Sequence, residues 1–344
     1  MDASREIRSR GDIKLFWGTD IKTAAGNQLG YYTHNTKLKR AVSLQTKLYG
    51  DEEKATDCLY ILSPEYFIKR PERLLTWLFT MFEGTTIPKK YEERMRDADC
   101  LLAPSTWVAE LFKRYFPDKP TYVVNHGVDK KFKYIKRKFP IDKPFRFLWV
   151  GAPNPRKGFE ETIVVWREIF QKFSELELYV KTTGPERWNM TGKVEKKANV
   201  ILDGRRLTDK QLVKLYHSAN CFLFPTRGEG FGLTLAEAMR TGLPCISTYY
   251  SGLTDFFDES VGYTIDHKMG KGVVKFVGDE LEEETKMAFP IPEQLAEKMM
   301  HVVGNYSEAL KFGQAAHHRI KKFTWWRSAS TLLKALQEEV AIGD

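Results

Sequence analysis

Residues 221–244, CFLFPTRGEGFGLTLAEAMRTGLP, constrain the fold more than any other stretch of the chain. The run 221–224 is wholly apolar and of strand length, glycines at 228, 230 and 232 make a turn, and 233–241 is built largely from strong helix formers. A second β-type run, 244–247, follows at once. Strand, helix and strand in that order bring the chain back to a parallel neighbour, so the segment is a βαβ unit of an α/β sheet.

The same alternation runs through the whole chain. Strands are expected near 13–17, 58–62, 75–82, 100–103 and 121–124, and again near 145–150, 176–181, 199–202, 221–224 and 244–247. Amphipathic stretches separate them, for example 106–115, with Ser105 as a candidate N-cap, 160–173 and 209–217. A chain of 344 residues exceeds one typical core and fits two α/β domains. The basic, Pro-containing stretch after Asp129 is the expected boundary. It gives a first domain of 1–140, a second of 141–324, and a closing helix over 325–344 that packs across both.

Composition excludes some classes. With 42% hydrophobic residues the chain is not disordered. The charged start, Met1–Asp12, lacks the apolar stretch of a signal peptide, and no apolar run reaches membrane-spanning length, so a cytoplasmic location is expected. Cys58, Cys100, Cys221 and Cys245 lie far apart, mostly in strand-like runs, and read as reduced core residues. The acidic run 280–284 reads as solvated surface.

The chemistry gathers around the glycine turn. A helix that opens on such a turn points its free N–H groups and the positive end of its dipole at whatever occupies the turn, which favours a phosphate. Glu229 sits in the turn and Glu237 about two turns along the helix. Carboxylates beside a phosphate site are unfavourable unless they bind hydroxyls, so the pair reads as a clamp on a sugar or ribose next to a diphosphate.

With Glu229 and Glu237 inside EGFGLTLAEAMRTGLPCI, the chain resembles the family-four retaining glycosyltransferases. NHGVD at 125–129 and FLWVGAPNPRKG at 147–158 extend the resemblance. It implies the GT-B fold, two Rossmann-like α/β domains facing a cleft. It further implies that Glu229 contacts hydroxyls of the donor sugar, that Glu237 binds the nucleotide ribose, and that Gly232 and Leu233 offer N–H groups to the diphosphate. Lys157 would neutralise the leaving diphosphate. The family has an Arg directly after the strand-end glycine, but Ala152 follows Gly151 here, and Arg156 is the expected replacement. Gly26, in the loop AGNQLGY, resembles the glycine that closes onto the diphosphate, and Glu83 occupies the region where relatives have a His facing the sugar. Glu83 is read either as facing the acceptor hydroxyl or as a plain loop carboxylate. His126 is read as structural, and Trp325 with Trp326 as docking the last helix.

The implied reaction is transfer of a sugar from a UDP- or GDP-sugar to an acceptor hydroxyl, with retention, no cofactor and no metal, and no Asp-x-Asp motif lies in a suitable loop. A nucleotide-sugar epimerase of the same fold and a non-catalytic sugar-nucleotide-binding module are the alternatives. Three acceptor classes stay open: a lipid-linked or surface glycan, DNA carrying hydroxymethylated bases, and a small metabolite or protein. The charge pattern bears on this choice. Residues 1–140 hold 26 Lys+Arg against 18 Asp+Glu, and KKFKYIKRK at 130–138 supplies six positive charges and no negative one. Lys130 to Lys138 is therefore a strip for an anionic polymer or membrane surface, or a solvated linker.

Overall fold

The computed structural model describes residues 13–18, 29–49, 52–67, 74–140, 143–152, 154–182, 194–197, 199–275 and 282–338. The chain divides into two compact units, one of residues 1–127, 272–285 and 323–344, the other of residues 128–271 and 286–322.

In the first unit, β1 (Leu15–Trp17), β2 (Leu48–Tyr49), β3 (Asp57–Ile61), β4 (Leu75–Phe79), β5 (Cys100–Ala103) and β6 (Thr121–Val123) form a six-stranded sheet in the order β2-β1-β3-β4-β5-β6. Every registered pair in it is parallel. Parallel strands covered on both faces are apolar throughout, and β3, β4 and β5 are buried at every position. The helices α1 (Leu29–Ser43), α2 (Lys89–Met95) and α3 (Thr106–Tyr115) belong to this unit. Ser105 caps α3 as its position predicts, its side chain accepting from Val108 N at 3.3 Å. β4 is shorter than expected: Thr80 N still reaches Leu102 O at 3.3 Å, after which residues 81–83 leave the sheet.

The second unit carries β7 (Phe145–Gly151), β8 (Leu176–Thr182), β9 (Val194–Lys197), β10 (Val200–Asp203), β11 (Cys221–Phe224), β12 (Cys245–Thr248) and β13 (Tyr263–Ile265). Their order is β13-β12-β11-β7-β8-β10-β9, parallel except for the β9–β10 pair. Its helices are α4 (Phe159–Val165), which runs on into a π turn at Trp166–Phe170, α5 (Asp209–Ser218), α6 (Leu233–Arg240), α7 (Pro292–Gly304) and α8 (Tyr306–Ile320). A two-stranded ribbon of β14 (His267–Lys275) and β15 (Glu282–Pro290) was not foreseen, because its residues carry no clean alternation. Winding starts at β7, proceeds to β8 and β10 on one side, then crosses to β11, β12 and β13 on the other. The strand order therefore reverses between β7 and β11, and α/β sheets of this kind bind ligands outside the carboxyl ends of the strands at that reversal.

The boundary falls at Gly127/Val128 rather than at 140. The reason is packing. Phe132 is fully buried against Tyr216, and the buried Arg137 guanidinium donates to Thr241 O at 2.6 Å and Tyr216 O at 3.1 Å. The expected linker is thus an integral strap of the second unit. At the far end the chain returns to the first unit, where α9 (Trp325–Gln337) packs along α1 and buries Ala329, Leu332 and Leu336 in the core with Leu15, Trp17 and Leu38.

Candidate functional site

The sheet reversal brings together two loops about 70 residues apart in sequence. Beyond β7, Asn154 Oδ1 accepts from Arg156 N at 3.0 Å and caps a single 3₁₀ turn, Pro155–Lys157. Gly158 then takes φ +71°, and a Cβ there would lie 1.8 Å from Pro225 O. Only glycine permits this approach. The loop is bonded to the one beyond β11: Arg227 N donates to Arg156 O at 2.7 Å, and Thr226 Oγ1 lies 3.0 Å from the same oxygen.

The second loop is held as firmly. Glu229 N donates to Ser251 Oγ at 2.8 Å, and Gly252 N donates to Glu229 O at 2.9 Å. Ser251 adopts φ 57°, a left-handed conformation that a non-glycine residue holds only when its surroundings impose it. Gly232, at φ +93°, caps α6, and Leu253 Cδ2 stands 2.1 Å from where its Cβ would be. The N–H groups of the first turn, Leu233 onward, have no partner within the helix and point out of its start.

Between the loops lies a charge cluster. Glu229 is 5% exposed, and its Oε1 sits 2.5 Å from Lys157 Nζ and 3.0 Å from Arg156 Nη1. Arg156 Nη1 also donates to Gly228 O at 2.5 Å, Thr226 Oγ1 lies 3.3 Å from Glu229 Oε1, and Trp149 Nε1 donates to Lys157 O at 3.1 Å. Burial alone would push the Glu229 carboxyl up, but the charges and hydrogen bonds of Lys157 and Arg156 outweigh it and hold the group below its ordinary range. Two cations meet at one carboxylate beside the positive end of α6. That arrangement suits an anion.

Lys157, Arg156 and Glu229 are therefore brought together, with Gly232 and Leu233 at the helix start. Arg156 is not an independent cation, because the Glu229 carboxylate holds it. Glu237 occupies a different environment: half-buried on α6, it accepts a hydrogen bond from Tyr216 Oη to Oε2 at 3.0 Å. Burial pushes its carboxyl up to about 7, only partly offset by the Tyr216 hydrogen bond and by Lys131. Thr226 and Ser251 went unrecognised in the sequence. Nothing about a lone Thr in a turn signals its contacts, whereas Ser251-Gly252 after a strand was a visible turn signal.

In the first unit, Glu83 is half-buried in the loop after β4. The neighbouring Gly84 leaves no room for a side chain, Thr285 Oγ1 lying 2.4 Å from its Cβ position, and Thr86 N donates to that same hydroxyl at 3.2 Å. Gly26 lies outside the described residues. His126 is buried and stacks on Trp325 at 6.0 Å and edge-on to His34 at 4.0 Å. Burial pushes its imidazole down to about 3, which keeps it neutral, as a packing role requires. Trp325 joins that aromatic group, but Trp326 is 56% exposed and does not dock the helix.

The basic strip also changes character. Arg137 is buried with its charge directed at carbonyl oxygens, and Lys131 pairs with Asp209 at 2.7 Å. Lys130, Lys133, Lys136 and Lys138 are exposed.

Residues 144–305 match the family described as Glycosyl transferases group 1. Among curated proteins, the serotype-specific mannosyltransferase WbdA of Escherichia coli is 31% identical over 106 residues, 29% of this chain and 13% of that protein. The 2-deoxystreptamine N-acetyl-D-glucosaminyltransferase of Niallia circulans is 33% identical over 139 residues, 39% of this chain and 35% of that enzyme. The chain thus spans only a minor part of these two relatives. Among solved structures, WaaG, a glycosyltransferase involved in lipopolysaccharide biosynthesis, superposes with TM-score 0.63 at 14% identity, covering 96% of this chain and 100% of its own. Anabaena HepE, solved with UDP and glucose, gives TM-score 0.64 at 11% identity, covering 94% and 99%. The fold is GT-B.

Proposed function

We propose that this chain transfers a sugar from a nucleoside-diphosphate sugar to an acceptor hydroxyl, with retention of anomeric configuration. The observation that carries the proposal is the cluster of Arg156, Lys157 and Glu229 at the start of α6, where the strand order reverses. The match of residues 144–305 to the group 1 glycosyltransferases supports it, as do the activities in the names of WbdA and the Niallia circulans enzyme.

In the proposed reaction the bond between the anomeric carbon and the diphosphate oxygen breaks, and negative charge collects on the leaving phosphate. Lys157, Arg156 and the N–H groups of Gly232 and Leu233 stabilise that charge, acting as fixed dipoles and cations that need no reorganisation. The acceptor oxygen bonds to the anomeric carbon, and its proton passes to the leaving phosphate. Glu229 has two tasks in this scheme. It holds both cations in place, and when the diphosphate competes for them its carboxylate turns to the sugar hydroxyls. Phosphate and sugar recognition are thereby coupled through one oxygen atom. Glu237, held by Tyr216, is assigned to the ribose hydroxyls.

For the acceptor we propose a glycan or lipid-linked glycan. The nucleic-acid alternative drew on six clustered charges, and two of them, Arg137 and Lys131, are engaged within the protein. Incubating the full chain with a panel of UDP- and GDP-sugars, with and without saccharide acceptors, tests the scheme. Slow hydrolysis alone and faster release of the nucleotide with acceptor are expected. A new epimer formed without acceptor would point instead to epimerisation. Binding without turnover on any acceptor would point to a binding module.

A further inference from the structure

Far in sequence from the charge cluster, α1 and α9 of the first unit pack together, and neither LGYYTHNTKLKRAVS nor WWRSASTLLKALQ contains an acidic residue. Gln45 joins their outer faces, donating from Nε2 to Trp326 O at 2.9 Å and accepting at Oε1 from Ser330 Oγ at 2.7 Å. On either side of that junction stand the two most exposed large apolar residues among those described, Leu44 at 68% and Trp326 at 56%. Arg40 lies one helical turn before Leu44. Arg327 lies beside Trp326, and Lys334 is two turns further along the same face of α9; all three cations are exposed. The next carboxylate in sequence, Glu338, interacts with the Tyr122 hydroxyl.

A single exposed Leu on a surface is ordinary, but an exposed Trp and Leu joined through Gln45 on two helices that carry basic and no acidic residues are not. Trp favours the boundary between lipid headgroups and hydrocarbon, aliphatic side chains insert below it, and Lys and Arg bind the anionic headgroups around them. No described helix is long and apolar enough to cross a membrane. We propose that the α1–α9 face is a peripheral docking surface for an anionic lipid bilayer, with Trp326 and Leu44 entering the headgroup layer and Arg40, Arg327 and Lys334 contacting lipid phosphates. The inference is independent of the sugar-transfer reading, since it involves none of the residues of that site.

The test is co-sedimentation of the full chain with phosphatidylcholine vesicles and with mixed phosphatidylcholine/phosphatidylglycerol vesicles. The wild type should bind the mixed vesicles, less so as salt is raised, and bind the neutral ones poorly. Leu44→Ser with Trp326→Ser should abolish sedimentation while keeping the thermal transition. Arg40→Gln with Arg327→Gln, both at exposed positions, should weaken binding by roughly fivefold per charge. Lys133→Gln with Lys136→Gln, on the other unit, should leave binding unchanged. The proposal fails if the wild type does not bind mixed vesicles or if the Leu44/Trp326 variant binds as well as wild type. It also fails if the apolar pair instead holds a dimer, detected as a concentration-dependent species that the variant removes.

Discussion

Replacing Glu229 by Gln keeps the shape of the side chain and removes the negative charge that Lys157 and Arg156 share. Lys157 and Arg156 then stand side by side with side-chain exposures of only 18% and 15% and no carboxylate between them. Removing one partner of a buried ion pair costs about 3–5 kcal/mol, because the remaining charge is left uncompensated. In a unit of this size that corresponds to a fall in Tm of roughly 10 °C. The contacts at 2.5 and 3.0 Å thus give Glu229 a part in folding as well as in the site. Lys157→Met in the Glu229→Gln background should recover part of the loss, since it removes one of the two cations that faced the Glu229 carboxylate. A double-mutant cycle by urea denaturation at pH 7 measures the coupling, expected at about 1–3 kcal/mol. The dependence on pH has a definite sign. The folded-state carboxyl titrates below its ordinary value of 4.5, so its contribution is fully present above that value and is lost as the pH falls through the folded pKa. Losses that add within about 0.5 kcal/mol would refute the coupling and leave Glu229 as an ordinary loop carboxylate.

Glu237 has the opposite sign: with its folded pKa raised to about 7, its contribution is fully present below 4.5 and is lost as the pH rises through 7, so Glu237→Gln should flatten stability across that window in thermal melts. Gly158→Ala should separate the two loops, because its φ of +71° and the 1.8 Å approach to Pro225 O leave no place for a methyl group; loss of UDP and GDP binding in calorimetry, with a destabilisation of about 1–3 kcal/mol or more, checks this. Arg137→Met should destabilise the second unit by about 2–4 kcal/mol by leaving the carbonyls of Thr241 and Tyr216 without their donor, whereas Lys133→Gln should stay within about 0.5 kcal/mol. If the exposed lysines track DNA, changing Lys130, Lys133, Lys136 and Lys138 to Gln should lower the log–log salt slope of binding by about 0.9 for each phosphate no longer neutralised. An unchanged slope makes the strip a solvated surface.

How much of this was legible in the sequence depends on how local the determining signal is. Strands β3, β5, β7 and β11 announced themselves as short apolar runs, and Ser105 announced α3, because burial on both faces and end-capping each act within a few residues. Two-residue β2 has no pattern to detect, and in the ribbon β14–β15 the buried Thr285, Met287 and Ala288 mix polar with apolar residues, so no hydrophobic alternation marks it. The boundary was misplaced for a related reason. KKFKYIKRK reads as a solvated linker if every cation is assumed to seek water, yet Arg137 finds its partners in Tyr216 and Thr241, 79 and 104 positions away. Net charge in a window says nothing about which of its members is buried.

The site shows the same division. Gly232, Glu229 and Lys157 could be singled out because a glycine turn, a helix start and two complementary charges are local features. That Lys157 and Arg156 share Glu229 could not be read off, since it depends on β7 lying beside β11, which is a property of the sheet order. Once that neighbour relation is known, little freedom remains. The loops leave adjacent strands from the same edge, and Gly158 brings them to backbone contact at Pro225. The hydrogen bond from Arg227 N to Arg156 O then fixes their offset. A basic pair on one loop must meet the carboxylate on the other. The meeting of Arg156, Lys157 and Glu229 at the start of α6 thus follows from strand order and two glycines, and cations held beside a helix N-terminus can take up a phosphate without rearranging the fold.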